Sequence, residues 1–563
     1  MVSCDDKPWL KSYERNVPEH IAYERTCMPE YLDRAAESFP DRDALIFEGY
    51  RITFRELKDM VDRFASFLAH RGISKGDAVA VLLPNTIPCV VSYFAILKCG
   101  AIAVMNNPLS ANAELEYQFS NSGSRLLITL DRLLPRMIRL RPKTPVREIV
   151  STAIEDYLPF PKKLVYPFFA KRRKKTPEAG KAPDVYSWKG CLAGHDPALP
   201  SVRVDFETVA MYQYTGGASG TSKGVILTHG NLSTQVQMLQ VWFSTFARGR
   251  EIMLGALPFF HVFGLSTVMN FAVSMAWTNV LVPNPKGARL LEAIRKYRPT
   301  FAPLVPTMYV RMLAHPDLKK TDMTCLRGCF SGSEPLPVEV IHDFEHITGA
   351  TIVEGFGLTE TSPVTHINPF SGAARKVGSV GVPVPDTCCR IVSTEDGVTD
   401  VPVGAQGELI VSGPQVMKGY KDMPRETDQT IRDGWCYTGD IATMDDDGYF
   451  YIVDRMKDMI ISGGYNIYPR EIEEVLDGHP KVREVCAIGV PDPRRGECVK
   501  VFVVLKEGET ATGEALKDYC RTRMAKYKIP REIEFREVLP GTGEGADRRK
   551  ELKAEELMRR QEP

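Results

Sequence analysis

From Gly76 to Asn107 the chain reads apolar, helical and apolar again. Ala78–Leu83 is an unbroken apolar run, Cys89–Leu97 has helical character, Gly100 ends it, and Ala101–Met105 is apolar throughout. A strand without polar alternation must be buried on both faces, and two such strands joined through a helix imply a parallel sheet covered by helices. The same alternation returns at Ile252–Leu257, Val280–Val282 and Thr300–Val305. Roughly the first four-fifths of the chain therefore reads as one large α/β unit of stacked, mostly parallel sheets with helices.

At 563 residues the chain is too long for a single core. A second unit is expected after Gly448–Val453, where the apolar run gives way to Asp454-Arg-Met-Lys-Asp458. Beyond it lie a helical Pro469–Leu476, strands at Val485–Val490 and Val499–Leu505, and a charged helix from about Arg548 to Arg559. That is a small α+β module, large enough to fold alone. The expected division is 1–453 and 454–563, with the junction at 454–458.

Lys plus Arg and Asp plus Glu both number 71, so the global charge gives no footprint for nucleic acid. The first residues, Met1 to Glu24, lack the apolar core of a signal peptide, and no run of about 18 apolar residues suggests a membrane span. Thirteen cysteines without zinc-ligand spacing read as free thiols in a reducing cytoplasm. One segment departs from this plain picture. Residues 157–175 combine aromatic, proline-broken stretches with the basic block Lys171-Arg-Arg-Lys-Lys175, which suits either peripheral contact with an anionic membrane or a solvated linker whose aromatics pack on the domain. Oligomeric state is not legible.

Chemistry concentrates in Tyr214-Thr-Gly-Gly-Ala-Ser-Gly-Thr-Ser-Lys-Gly224. Gly216, Gly217 and Gly220, interleaved with the hydroxyls of Thr215, Ser219, Thr221 and Ser222 and followed by Lys223, make a turn suited to wrapping a polyphosphate. It is not the common P-loop, because Lys223 is followed by Gly224 rather than by a Ser or Thr that could hold magnesium. A glycine-rich surface loop is the bland alternative.

This run resembles the phosphate loop of the adenylate-forming superfamily, which includes acyl-CoA synthetases, luciferases and peptide-synthetase adenylation domains. Along nearly its whole length the chain is similar to long-chain fatty-acid CoA ligases. The resemblance implies that ATP and a fatty acid form acyl-AMP and pyrophosphate, and that CoA then takes the acyl group, with Mg²⁺ as the metal. It carries over residue by residue. Thr215, Gly216, Gly217, Ser219, Gly220, Thr221 and Lys223 match the phosphate loop, with Ala218 replacing a frequent hydroxyl. Leu257-Pro-Phe-Phe-His-Val-Phe-Gly264 looks like the segment in which His261 lies beside the carboxylate and aromatics wall the acyl tunnel. Ser331, Gly332 and Ser333, with Glu354, Gly355, Phe356 and Gly357, resemble the adenine site; Thr359 is expected to reach the phosphates and Glu360 to hold the metal. Asp440 and Arg455 match ribose and phosphate contacts, Lys457 the hinge on which the small domain turns, and Gly463, Gly464 and Tyr465 the strand beside the pantetheine channel.

One departure outweighs these matches. The family reads Pro-Lys-Thr-x-x-Gly-Lys before a basic helix, and its last lysine bridges the substrate carboxylate and the α-phosphate. Here Leu539-Pro-Gly-Thr-Gly-Glu-Gly545 is followed by Ala546. Loss of one preorganised charge costs about 10²- to 10³-fold in rate, so the first half-reaction is expected to be impaired and the thioester step largely retained. Arg548, Arg549 and Lys550 are nearby cations on a helix expected to face elsewhere. Two other functions fit the same motifs: an acyl-AMP ligase loading a carrier protein, and a non-catalytic protein that binds acyl-adenylate or acyl-CoA.

Overall fold

The computed structural model describes residues 7–162, 183–197, 202–215, 222–370, 374–462, 465–492, 496–524, 526–540 and 545–561. Two large sheets form the first unit. In the eight-stranded sheet the order is Gly419–Tyr420, Lys223–Thr228, Val209–Thr215, Ile102–Met105, Ala78–Leu82, Leu126–Leu130, Glu148–Thr152 and Val185–Ser187. Its last six strands are parallel. The nine-stranded sheet runs from Val382–Pro383 through Val364–Ile367, Thr351–Gly357, Gly328–Ser331, Phe301–Leu304, Ile252–Gly255, Thr278–Leu281 and Asp43–Phe47 to Tyr50–Thr53. It is parallel in the middle and antiparallel at both edges.

The expected apolar strands are there. Ala78–Leu82 is buried at every position, and the helix after it, Ile87–Lys98, carries Pro88 in its first turn, where the missing N–H costs nothing. Ile252–Leu257 stops two residues early, at Gly255. The cause is Asn85, whose side chain donates to Gly255 O and Leu257 O at 3.1 and 2.7 Å and accepts from Phe259 N at 3.0 Å. That clamp turns the chain toward His261.

Between 388 and 455 the mostly parallel architecture is joined by an antiparallel sheet. There Cys388–Val392, Gly407–Ser412, Trp435–Met444, Ile431–Arg432 and Phe450–Arg455 form a separate antiparallel sheet. Part of it is a two-residue hairpin in which Arg432 pairs with Trp435 across Asp433 and Gly434, at φ 50° and 82°. An Asp-Gly pair at positive φ is a strong hairpin signal. The reading of free cysteines also needs correction: among the described residues eleven are free thiols, but Cys388 is disulfide-bonded.

From Ile460 onward the chain builds its own cores. Tyr465–Ile467, Ile460–Ser462, Gly496–Leu505 and Val482–Asp492 form a sheet, joined by Glu532–Phe535. Ile472, Leu476 and Leu516 cover one face, Leu539 and Leu552 the other. The last helix spans Gly545–Gln561 and so starts earlier than expected, which puts position 546 inside its first turn rather than on a preceding loop. Among the described residues no helix is long and apolar enough to cross a membrane. Of the 157–175 segment only 157–162 is described, and Phe160 there is 80% exposed.

Candidate functional site

The strands flanking the glycine-rich run are antiparallel, with Tyr214 opposite Gly224 and Thr215 opposite Lys223. The run is therefore the connection of a hairpin. Gly216, Gly217, Ser219, Gly220 and Thr221 lie outside the described residues. Lys223 heads the returning strand, and its ammonium sits 4.6 Å from the centre of the Tyr420 ring. Tyr420 comes from a short strand paired with Lys223–Thr228 on the other side.

Glu360 arrives at the same place from the other large sheet. Thr351–Gly357 ends in a tight turn: a Cβ on Gly357 would lie 1.9 Å from Pro363 O, so only glycine lets the chain pass. The turn Thr359–Thr361 follows, with Ser362 at φ 72°. It is anchored to residues 415–420: Ser362 Oγ donates to Gln415 O at 2.8 Å, Met417 N to Glu360 O at 2.7 Å, and the Tyr420 hydroxyl to Glu360 Oε1 at 2.6 Å. Tyr420 was not among the residues the sequence singled out, and no motif quoted from the sequence marks it.

Ser331 ends its strand in register with Leu304 and Glu354. Its hydroxyl is buried without a hydrogen-bond partner, which buried polar atoms avoid unless a ligand or water completes them. Ser333 follows at φ 74°. The Glu354 carboxylate accepts from Gly378 N at 3.0 Å and Leu336 N at 3.4 Å, and burial raises its pKa. Phe356 is half-buried and meets the His366 ring edge-on, with the ring centroids 5.9 Å apart. His366 is fully buried, and burial lowers its pKa to about 3.

His261 packs close by. Its Nδ1 accepts from Phe263 N at 3.2 Å, capping the short helix Val262–Gly264, and burial lowers its pKa, so the ring is neutral. Gln213 fixes the preceding carbonyl, donating to Phe260 O at 2.7 Å. Phe263 links this segment to the purine motif, since a Cβ on Gly332 would stand 3.1 Å from its ring and 3.3 Å from Gly355 O.

Asp440 and Arg455 face each other on paired strands, with Arg455 Nε 3.6 Å from Asp440 Oδ1. Asp440 is 5% exposed. Cys436, on the same strand as Asp440, has its thiol pKa pushed up by burial and then by Glu360, Glu408 and Asp440. Glu360 and Asp440 thus both act on the same buried thiol. Lys457, Tyr465 and Ala546 have side chains outside the described residues, as do Gly463 and Gly464 altogether. Of the arginines next to position 546, Arg549 is held by Glu473, by Asp454 at 3.0 Å and by Asp458 at 3.5 Å, whereas Arg548 makes a longer contact with Glu484 at 3.5 Å.

Among the described residues no group of three or more His, Cys, Asp or Glu could hold a metal. A lone carboxylate such as Glu360 suits Mg²⁺, which keeps several waters and is commonly held by one or two carboxylates plus substrate phosphates.

The AMP-binding enzyme family matches residues 32–421, and the AMP-binding enzyme C-terminal domain matches 471–546. A long-chain-fatty-acid–CoA ligase of Bacillus subtilis (strain 168) is 43% identical over 552 residues, covering 98% of both chains. The enzyme of that name from Salmonella typhimurium is 36% identical over 554 residues, again 98% of each. Among solved structures, an anthranilate CoA ligase in complex with anthranoyl-AMP superposes with a TM-score of 0.83 at 26% identity, over 97% of this chain and 99% of that one. ATP-bound MatB from Rhodopseudomonas palustris gives 0.82 at 28% identity, over 94% and 99%.

Proposed function

The chain belongs to the AMP-binding enzyme family, and we propose that it is an AMP-forming acyl-CoA ligase acting on long-chain fatty acids with ATP, Mg²⁺ and CoA. The observation that carries this reading is the meeting of Lys223, Glu360 and Tyr420 in one cluster, with Glu360 and Asp440 both acting on the buried Cys436 thiol. Near full-length identity to long-chain ligases supports the acid class.

In this reading the fatty carboxylate lies near His261, whose neutral ring adds no second charge, and attacks the α-phosphorus while pyrophosphate leaves. Lys223 and the hairpin donors hold the phosphates; Phe356 stacks on the purine; Asp440 accepts from ribose hydroxyls and Arg455 steadies that end. Glu360 would hold Mg²⁺, which when bound neutralises phosphate charge. In the second step the CoA sulfur attacks the acyl carbonyl and AMP leaves. Movement of the small unit about 454–458 between the steps belongs to the same proposal, as does a first step weakened by Ala546. We also infer cytoplasmic placement, with peripheral membrane contact through 157–175 supported by the exposed Phe160 and tested by sedimentation with anionic liposomes after neutralising Lys171–Lys175.

The test supplies the full chain with palmitate, ATP, Mg²⁺ and CoA, and follows AMP release and palmitoyl-CoA. Formation of both supports the reading. Palmitoyl-AMP without thioester would favour a carrier-loading ligase, and tight binding of palmitoyl-CoA with no turnover would favour a sensor.

A further inference from the structure

We propose that Tyr420 is a positioning residue that sets both Glu360 and Lys223: its hydroxyl fixes one oxygen of the carboxylate while its ring face receives the ammonium. The inference rests on the functional reading above and adds a residue to it.

Tyr420 is 6% exposed and mounted rigidly. Its residue pairs with Val225 in the sheet; its N–H donates to Thr427 Oγ1 at 2.9 Å; the next residue, Lys421, donates its N–H to Gly224 O at 2.7 Å. Three residues earlier, Met417 N holds the Glu360 carbonyl. The strap 417–421 therefore joins the Glu360 turn to the strand leaving the phosphate hairpin.

The chemistry follows from that mount. The phenol donates to Oε1 at 2.6 Å, which leaves Oε2 as the oxygen to meet a metal. Single-oxygen binding suits a small ion with near-ideal octahedral demands. Hydrogen bonds of this kind, to a ligand rather than to the ion, orient the ligand, and their loss commonly costs 10- to 100-fold in metal affinity or activity. On the other side, a Lys ammonium over an aromatic face is attracted by the ring quadrupole, so the same side chain holds the Lys223 ammonium, 4.6 Å from its ring centre.

The experiment uses the full chain with Mn²⁺ as probe, reading free Mn²⁺ by electron paramagnetic resonance in the presence of ATP, without turnover. Tyr420→Phe keeps the ring and removes the hydroxyl; it should weaken Mn²⁺ binding about 10- to 100-fold and leave metal-free ATP binding unchanged. Tyr420→Leu should weaken both. In a Glu360→Gln background, Tyr420→Phe should have no further effect on Mn²⁺. Mn²⁺ affinity of Tyr420→Phe within about threefold of the parent, or losses that simply add in the double variant, would overturn the proposal. A parent protein that binds no Mn²⁺ with ATP would sink the functional reading itself.

Discussion

Arg549 Nη1 lies 3.0 Å from Asp454 Oδ1. Asp454 also accepts from Arg455 N at 2.7 Å and Arg470 N at 2.8 Å, while the same guanidinium reaches Glu473 and Asp458. One arginine, three residues past Ala546, ties the last helix to the strand end that carries Arg455. In the proposed hinge these bonds cross the pivot.

Replacing Arg549 by Met should therefore leave buried carboxylates facing one another. Breaking a buried pair by removing one partner costs about 3–5 kcal/mol. Denaturant unfolding of the full chain should show a loss of that order, concentrated in the transition of the small unit. A loss below about 1 kcal/mol would mean that these carboxylates are well solvated.

Ala546→Lys should raise ATP–pyrophosphate exchange about 10²- to 10³-fold. Thioester formation from supplied palmitoyl-AMP and CoA should change little. Equal exchange by both proteins would show that another group already neutralises the developing charge.

Gly357→Ala places a Cβ where a backbone carbonyl, Pro363 O, would lie 1.9 Å away. Backbone cannot yield as a side-chain tip can, so the turn carrying Glu360 must shift. We expect a loss of about 1–3 kcal/mol in stability together with weaker Mg²⁺ dependence of ATP binding, measured by calorimetry.

Acid should destabilise the fold through two histidines. His229 and His366 are fully buried, and burial is the leading cause that lowers their pKa values to about 4 and about 3. The unfolded chain takes up protons near the ordinary value that the folded chain refuses, so stability is full above pH ~6.5 and falls as pH drops toward 4. At full effect the two groups are worth on the order of 3 and 5 kcal/mol respectively. Melting curves from pH 7.5 to 4.5 should show the decline, and His366→Phe, which keeps a ring against Phe450, should flatten it.

The parallel cores were legible because burial on both faces writes itself as unbroken apolar runs, as at Ala78–Leu82. The antiparallel sheet was not, since strands such as Trp435–Met444 mix buried and half-exposed positions and give no clean period. Its clearest signal in the sequence is the Asp433-Gly434 pair of the hairpin. Glu360 and Asp440 stand in motifs the sequence offers, whereas Tyr420 and Arg549 do not: their contacts depend on partners 60 and 95 residues away, Glu360 and Asp454 respectively. Glu354 shows the converse, a motif residue whose carboxylate is occupied by backbone amides.

The glycine-rich run closes a hairpin, with Thr215 opposite Lys223, and the next helix begins only at His229, after the returning strand. A strand-to-helix turn would stand a row of aligned peptide dipoles behind a bound anion, but neighbouring strand dipoles largely cancel. Without a helix dipole behind it, a triphosphate on this scaffold leans more heavily on discrete charges such as Lys223 and a divalent ion. Nucleotide affinity should accordingly track ionic strength and free divalent concentration, making the enzyme's occupancy a readout of cellular ion balance as much as of ATP itself.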